Sequence, residues 1–571
     1  MFTKYYHIKV LIISLFLNSP LFIFAQNNIS VYIGNSEKNV LRNELDELRE
    51  IIKISTGTTP SVVSSVEKNC IIIETKSKSV KNIDFGEIQN DGFVIMSLPN
   101  NNIVISGNNS QGTKFGVYYF LEKYFGVKWL MAGDLWTEIP SNFKISFQNI
   151  NEIVTPRFKT RKFSPINPNS NDIFGNWGAH NLLFNNVEYH HNLYKLFSET
   201  KEYSPHVKGK RIIPSSKNDQ GWQPNFSHKG IVDYSVKKID RFFKDNPNMN
   251  SYSLGINDSK NFDDSNFSSE KNFMGLNSVS NSYYSWVKET VNTLNKTHSN
   301  KTFGLLAYEN VAAPPSFKLP PNVIPFITLE RLKWADLEIK QKDINALKSW
   351  NNVVNEVGWY DYIYGVNYIV PRPYFKLMGE YLEYGYNNGV KHFVSEFYTN
   401  PLEGPKGWIV SKLLIDPSLD PNQLLEEWCI SAFGKQSSTD MVKFYKIWEN
   451  FWVNDIPKSK WWTNSPTFPY LRFDNNSYIS DIPVDYMEKS TKLLNQAYSN
   501  AVNVNQRKRL EELLKLWKFS KMNFVYFSKK NLSDLKYNNL TKGQIQAYIQ
   551  ELRKNPSNTI LLDHCVRFNK Y

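Results

Sequence analysis

Cysteine and histidine are scarce in this chain of 571 residues, which has only three Cys and nine His. Cys70, Cys429 and Cys565 show no metal-ligand spacing and no disulfide framework, and they read as small buried hydrophobes. No His-x-x-x-His or His/Glu helical spacing occurs, so neither a zinc site nor a cofactor is expected. Neither G-x-G-x-x-G nor G-x-x-x-x-G-K is present, which removes the phosphate-cradling loops of nucleotide binding. There is no G-x-S-x-G elbow for a serine nucleophile. Long basic blocks are also missing. The net charge is +13, but Lys and Arg are spread along the chain, and the densest run, Lys201 to Arg211, reads as a solvated loop. Nucleic-acid binding would rest on net charge alone and is not expected; a lean towards acidic glycans is all the charge suggests. Past the N-terminus no apolar run approaches the roughly 20 residues of a membrane span.

What the chain does have is aromatic residues: 32 Tyr, 37 Phe and 15 Trp. Such rings stack on the apolar faces of sugars and equally fill cores. The first 25 residues read as a secretory signal. Lys4 and Lys9 flank the apolar stretch Val10 to Leu17, and cleavage is expected near Ala25, which would place the protein in the periplasm or outside the cell. Three further regions are expected. Residues 29–150 order as strand, helix, strands, helix, a small α+β domain. Residues 155–405 alternate strand-like runs with amphipathic helices, the signature of a (β/α)8 TIM-like barrel of about 250 residues. Residues 406–571 are almost wholly helical. The fold class is therefore α/β, and the oligomeric state is left open.

Several barrel runs end in acids. Ser253-Leu254-Gly255-Ile256 leads to Asn257-Asp258, Val323 to Leu329 leads to Glu330, Gly358-Trp359-Tyr360 leads to Asp361, and His392 to Ser395 leads to Glu396. Barrel strands deliver functional residues at their C-terminal ends, and two carboxyl groups are the usual equipment for cleaving a glycosidic bond. Asp361, between Tyr360 and Tyr362 and near Trp359, suggests a sugar platform with a hydroxyl-binding acid. Trp177 and His180 are candidates for the rim. Arg157 and Arg161 flank the first strand and are placed to hold a carboxylate or to pair with barrel acids. Tyr308 follows another strand and is a candidate for bonding a transition-state oxygen.

The segment Asn108 to Glu122 with Gly126-Val127-Lys128-Trp129-Leu130 resembles the non-catalytic N-terminal domain of α-glucuronidases and β-hexosaminidases. The remainder resembles the DUF4838 family, secreted bacterial proteins related to those glycosidases. It does so through Asn257-Asp258, Leu306-Ala307-Tyr308, Pro314-Pro315, Trp350, Tyr360-Asp361-Tyr362, Gly389 to Glu396 and Lys412 to Pro417. Many members carry a Cys-x-Cys-x-x-Cys cluster after the Asn-Asp strand. Ser259 to Asp264 has none, so no metal or redox role carries over. The resemblance implies a glycosidase-type barrel acting on a carbohydrate. It places Asp258 where the hexosaminidases carry an Asp-Glu pair, which makes Asp258 the expected general acid, Asn257 the residue that orients a hydroxyl or acetamido group, and Glu330 or Glu396 the partner. Arg331 and Lys333 are nearby ion-pair partners for Glu330 in the alternative, structural reading. The rival function is a carbohydrate-binding protein that keeps the barrel without the chemistry.

Overall fold

The structure is a computed structural model that describes residues 29–569 except 81–82, 87, 89–90, 142–146, 365–367, 464–468 and 473. The expected signal segment lies outside the described residues. The N-terminal sheet comprises β1 (Ser30–Ile33), β2 (Ser61–Val63), β3 (Cys70–Ile73), β4 (Phe93–Leu98), β5 (Asn102–Gly107) and β6 (Asn151–Val154), in the order β2-β1-β3-β5-β4-β6. The first four in that order run parallel, and β4 pairs antiparallel with both β5 and β6. Helices α1 (Arg42–Thr56) and α2 (Ser110–Phe125) bury Leu48, Ile52, Phe115 and Leu121 with Ile71, Ile103 and Ile105. Local chemistry sets their ends. Gly57, at φ 79°, stops α1, because only glycine enters that region without cost. The Asn109 side chain caps α2 by accepting from the Gly112 amide, satisfying one of the unpaired first-turn donors.

The central region alternates strands and helices: β7 (Thr160–Ser164), α3 (Ile173–His180), α4 (Ile231–Asp245), β8 (Ser251–Ser253), α5 (Ser280–Leu294), β9 (Thr302–Ala307), β10 (Val323–Thr328), α6 (Leu337–Asn351), β11 (Val357–Tyr362), α7 (Phe375–Asn387) and β12 (Val390–Glu396). All six strands run parallel in the order β8-β9-β10-β11-β12-β7. The expected eight-stranded barrel is thus corrected to a curled half-barrel of six regular strands. Its open side, between β7 and β8, is spanned by residues 184–192. Phe184 bridges Arg161 on β7, and His191 bridges Gly255 just beyond β8. Ser253 and Ser251 bond to this segment through their hydroxyls. A Cβ on Gly304 would lie 2.3 Å from the Glu188 carbonyl, and one on Gly255 would lie 2.5 Å from that of His190. Only glycine admits so close a backbone. Val187 and Tyr189 of this segment fill the interior with Leu306, Ile324, Phe326 and Val394.

Helices α8 (Lys406–Ile415), α9 (Pro421–Phe433), α10 (Lys435–Asn450), α11 (Val484–Asn500), α12 (Val504–Ser528), α13 (Lys542–Leu552) and α14 (Thr559–Asn569) complete the chain. Asp420 caps α9 with Pro421 in its first turn, and Asn503–Gln506 and Thr541–Gln544 form capping boxes on α12 and α13. The three regions are clamped together. Arg161 pairs with Asp91, both nearly fully buried. Lys412 meets Glu122 at 2.5 Å, Lys128 meets Glu427 at 2.6 Å, and the Trp428 indole donates to the Leu130 carbonyl at 3.2 Å. Cys70, Cys429 and Cys565 are all buried. Among the described residues no helix is long and apolar enough to cross a membrane.

Candidate active site

Side chains alternate across a strand, so the interior residues Leu306, Tyr360 and Val394 fix which neighbours point inward at the C-terminal rim. These are Tyr308 after β9, Tyr362 on β11 and Glu396 on β12. Glu396 is half-buried and accepts a hydrogen bond from the Tyr360 hydroxyl at 2.9 Å. Burial pushes its carboxyl up to about 7. The Tyr360 hydrogen bond pulls it down, and the negative charges of Asp258 and Glu330 push it further up. A carboxyl tuned to that range can give up or take back a proton near neutral pH.

Asp258 is exposed just past β8, and its charge acts on Glu396, Tyr308 and Tyr470. Tyr308 is half-buried and lies 6.2 Å, ring to ring, from His191. The His191 Nδ1 donates to the Ile256 carbonyl, which turns Nε2 away from that carbonyl. Tyr362 forms the floor, with its ring 5.3 Å from those of both Tyr360 and Tyr470. Burial pushes the Tyr308, Tyr360 and Tyr362 hydroxyls well up, so they stay neutral donors. Glu309 adds a third acid beside Tyr308, in a left-handed backbone conformation (φ 51°) and 3.1 Å from Lys260. A non-glycine residue held there at a strand end is a strained position of the kind found at functional sites.

The remaining candidates lie elsewhere. Glu330 is fully buried and forms an ion pair with Arg372, and Lys333 also acts on it electrostatically. Its carboxylate accepts from the Leu471 amide at 2.6 Å, and its own amide donates to the Pro469 carbonyl at 2.8 Å. It therefore anchors the loop that carries Tyr470. Asp361 is fully buried on the outward face and accepts from the Arg331 and Tyr362 amides at 2.9 and 2.7 Å. Trp359 also points outward, under the Arg331 guanidinium at 3.9 Å and against Trp334 and Tyr381. The sugar platform expected of this pair is corrected by that parity. Asn257 is fully buried and clasps the Trp222 carbonyl and the Tyr194 amide, at 2.7 and 2.6 Å. Arg157 is exposed at the start of β7, the opposite end of the sheet, with its guanidinium over Tyr386. Arg161 joins the N-terminal domain through Asp91 and donates to the Leu182 and Phe158 carbonyls. Trp177 donates to the Trp129 carbonyl, while His180 stacks on Trp129 and meets Glu47 at 2.8 Å. Both line a cleft against the N-terminal domain, and Trp177 also packs on Phe163 and on Phe397, next to Glu396.

Sequence reading passed over Tyr360, Tyr470, His191 and Glu309. Tyr360 was legible, because it shares the alternation of Glu396 and Tyr308. Tyr470 had no such signal, since it reaches the mouth from the helical region.

Solved structures of glycoside hydrolases resemble this fold. BtGH115A, a family GH115 4-O-methyl-α-glucuronidase with specificity for decorated arabinogalactans, matches with a TM-score of 0.58 at 12% identity, over 93% of this chain and 77% of that one. A GH138 enzyme targeting pectin rhamnogalacturonan II matches with a TM-score of 0.48 at 10% identity, over 94% and 74%. A family 89 glycoside hydrolase from Clostridium perfringens matches with a TM-score of 0.48 at 10% identity, over 90% and 66%. At these identities the likeness establishes a glycoside-hydrolase-like fold. A family model described as a domain of unknown function, DUF4838, matches residues 132–446, more than half of the chain. The chain belongs to that family. No curated protein matches it.

Proposed function

We propose that this protein is a secreted glycoside hydrolase in which Glu396 is the general acid and Asp258 the ionised partner. The observation that carries this reading is Glu396 itself: an inward carboxyl at a strand end, raised to about 7 and held by Tyr360. The roles differ from the sequence expectation, which gave the proton to Asp258. Burial and the neighbouring acids hold the proton on Glu396 to about pH 7. Glu396 protonates the leaving oxygen as the glycosidic bond breaks. Asp258 stabilises the positive charge that develops on the sugar and either takes a proton from a water that attacks the anomeric carbon, or attacks that carbon itself to form a glycosyl ester that water then hydrolyses. The Tyr308 and Tyr362 hydroxyls bond the sugar, and the Tyr470 ring offers an apolar face.

The test is hydrolysis of aryl glycosides and natural glycans by wild type, Glu396→Gln and Asp258→Asn. Each variant is expected to lose about 10²–10⁴-fold in kcat with its fold intact. Because the acid must be protonated, wild-type activity should fall as pH rises through about 7. Normal turnover by Glu396→Gln would sink the assignment. Glycan binding by all three proteins, with cleavage by none, would favour the carbohydrate-binding reading.

A further inference from the structure

We propose that the mouth takes an uncharged sugar ring and turns away uronic acids, an inference that rests on the glycan-binding reading above. The chain as a whole is basic, at +13, and that sign alone suggests an anionic partner. Among the described residues, four cations near the strand ends are nevertheless already engaged, and Lys162, inward on β7, lies over the Tyr189 ring at 5.7 Å, where burial lowers its pKa and Glu188 raises it. Arg372 is held by Glu330 and Arg331 by Asp343, in fully buried pairs. Lys260, at the rim, meets Glu309 at 3.1 Å, and Arg472 grips Asp474 at 2.9 and 3.0 Å. The two arginines that sequence reading offered for a carboxylate, Arg157 and Arg161, are at the far end of β7 and in the domain interface.

The charges that act on the mouth side chains are all negative. Tyr308, Tyr362 and Tyr470 feel Asp258, Glu309 and Glu396 in various combinations, and Tyr470 also feels Asp474. A uronate carboxylate is normally met by a guanidinium or ammonium free to pair with it. Here it would sit beside the exposed Asp258 and the Lys260-paired Glu309 in a partly desolvated site, where like charges repel strongly, while Glu396 carries its proton as the acid. Neutral tyrosine hydroxyls and rings suit the hydroxyls and apolar face of an uncharged pyranose instead.

The test is an array of oligosaccharide pairs that differ only at C6 of the terminal sugar, hydroxymethyl in one member and carboxylate in the other. It is probed with the full chain at low salt and at 0.5 M NaCl, and release of reducing sugar is measured separately. Neutral members should bind about tenfold or more tightly than their uronate partners at low salt. The gap should narrow in high salt and for Asp258→Asn. Uronate members bound as well as or better than neutral ones, or no glycan bound at all, would overturn the inference. Discriminating binding without hydrolysis would leave it standing and sink the hydrolase assignment; hydrolysis of uronides would do the reverse.

Discussion

Glu396 keeps its proton to about pH 7 because water is largely withdrawn from it and other carboxylates face it, and each influence can be removed separately. Tyrosine donates to the charged form of the carboxyl and so favours it. Tyr360→Phe should therefore move the alkaline limb of activity to higher pH. Asp258 disfavours the charged form, so Asp258→Asn should move the Glu396 titration, followed by isotope-edited infrared spectroscopy, to lower pH. Shifts in the same direction would contradict the arrangement. Stability responds too. The folded value lies above the ordinary 4.5, so the contribution of Glu396 is fully present below about pH 4.5 and is lost as pH rises through about 7. Glu396→Gln should match wild type in urea unfolding at pH 5 and exceed it at pH 8.5 by on the order of 2–3 kcal/mol. Equal stability at pH 8.5 would mean that the carboxylate is solvated. At this scale alternation was the readable signal. It separates Tyr360, Tyr362 and Glu396 from Trp359 and Asp361, and reading strand-end acids without it brought Asp361 and Trp359 into the site.

Among the elements, the loop at Pro469–Leu471 shows how a buried charge can serve a surface feature. Glu330 fixes both ends of that turn while Arg372, whose guanidinium also donates to the Tyr362 carbonyl at 2.9 Å, neutralises it. Glu330→Ala would leave Arg372 buried and uncompensated, and should cost about 3–5 kcal/mol in denaturant unfolding. A loss below about 1 kcal/mol would show that the pair is not desolvated. The partners stand 42 residues apart, and nothing in local sequence joins them. Regular elements were more legible. The runs at β9, β10, β11 and β12 and the helices α5, α7 and α12 lie within a few residues of where their periodicity put them. Helix α6 begins at Leu337, where the Asp336 side chain caps the Glu338 and Ile339 amides. Residues 184–192 could not be read as barrel wall, since they pair through single bridges and lack a strand's regular hydrogen bonds.

Across the whole molecule, the three regions share buried ion pairs rather than flexible linkers. Asp91→Ala would strand Arg161 in the interface between the N-terminal sheet and β7. It should lower stability by about 3–5 kcal/mol while the chain still melts in one calorimetric transition. Two separate transitions in the wild type would show that the regions unfold independently. The order of the regions was readable from the switch between strand and helix patterns. Their mutual fit was not, because it depends on single residues such as Asp91, Glu122 and Glu427 that look like ordinary surface acids.

The family resemblance ends at residue 446, yet the ring above the floor belongs to Tyr470, and His564 of α14 stacks on Tyr398 at 4.9 Å. The family match and the stretch of chain that reaches Tyr362 and Tyr398 therefore end at different places. The shared portion supplies the two acids; the tail supplies part of the walls. Tails exchanged among relatives would then carry substrate preference with them, leaving the proton chemistry behind in the half-barrel.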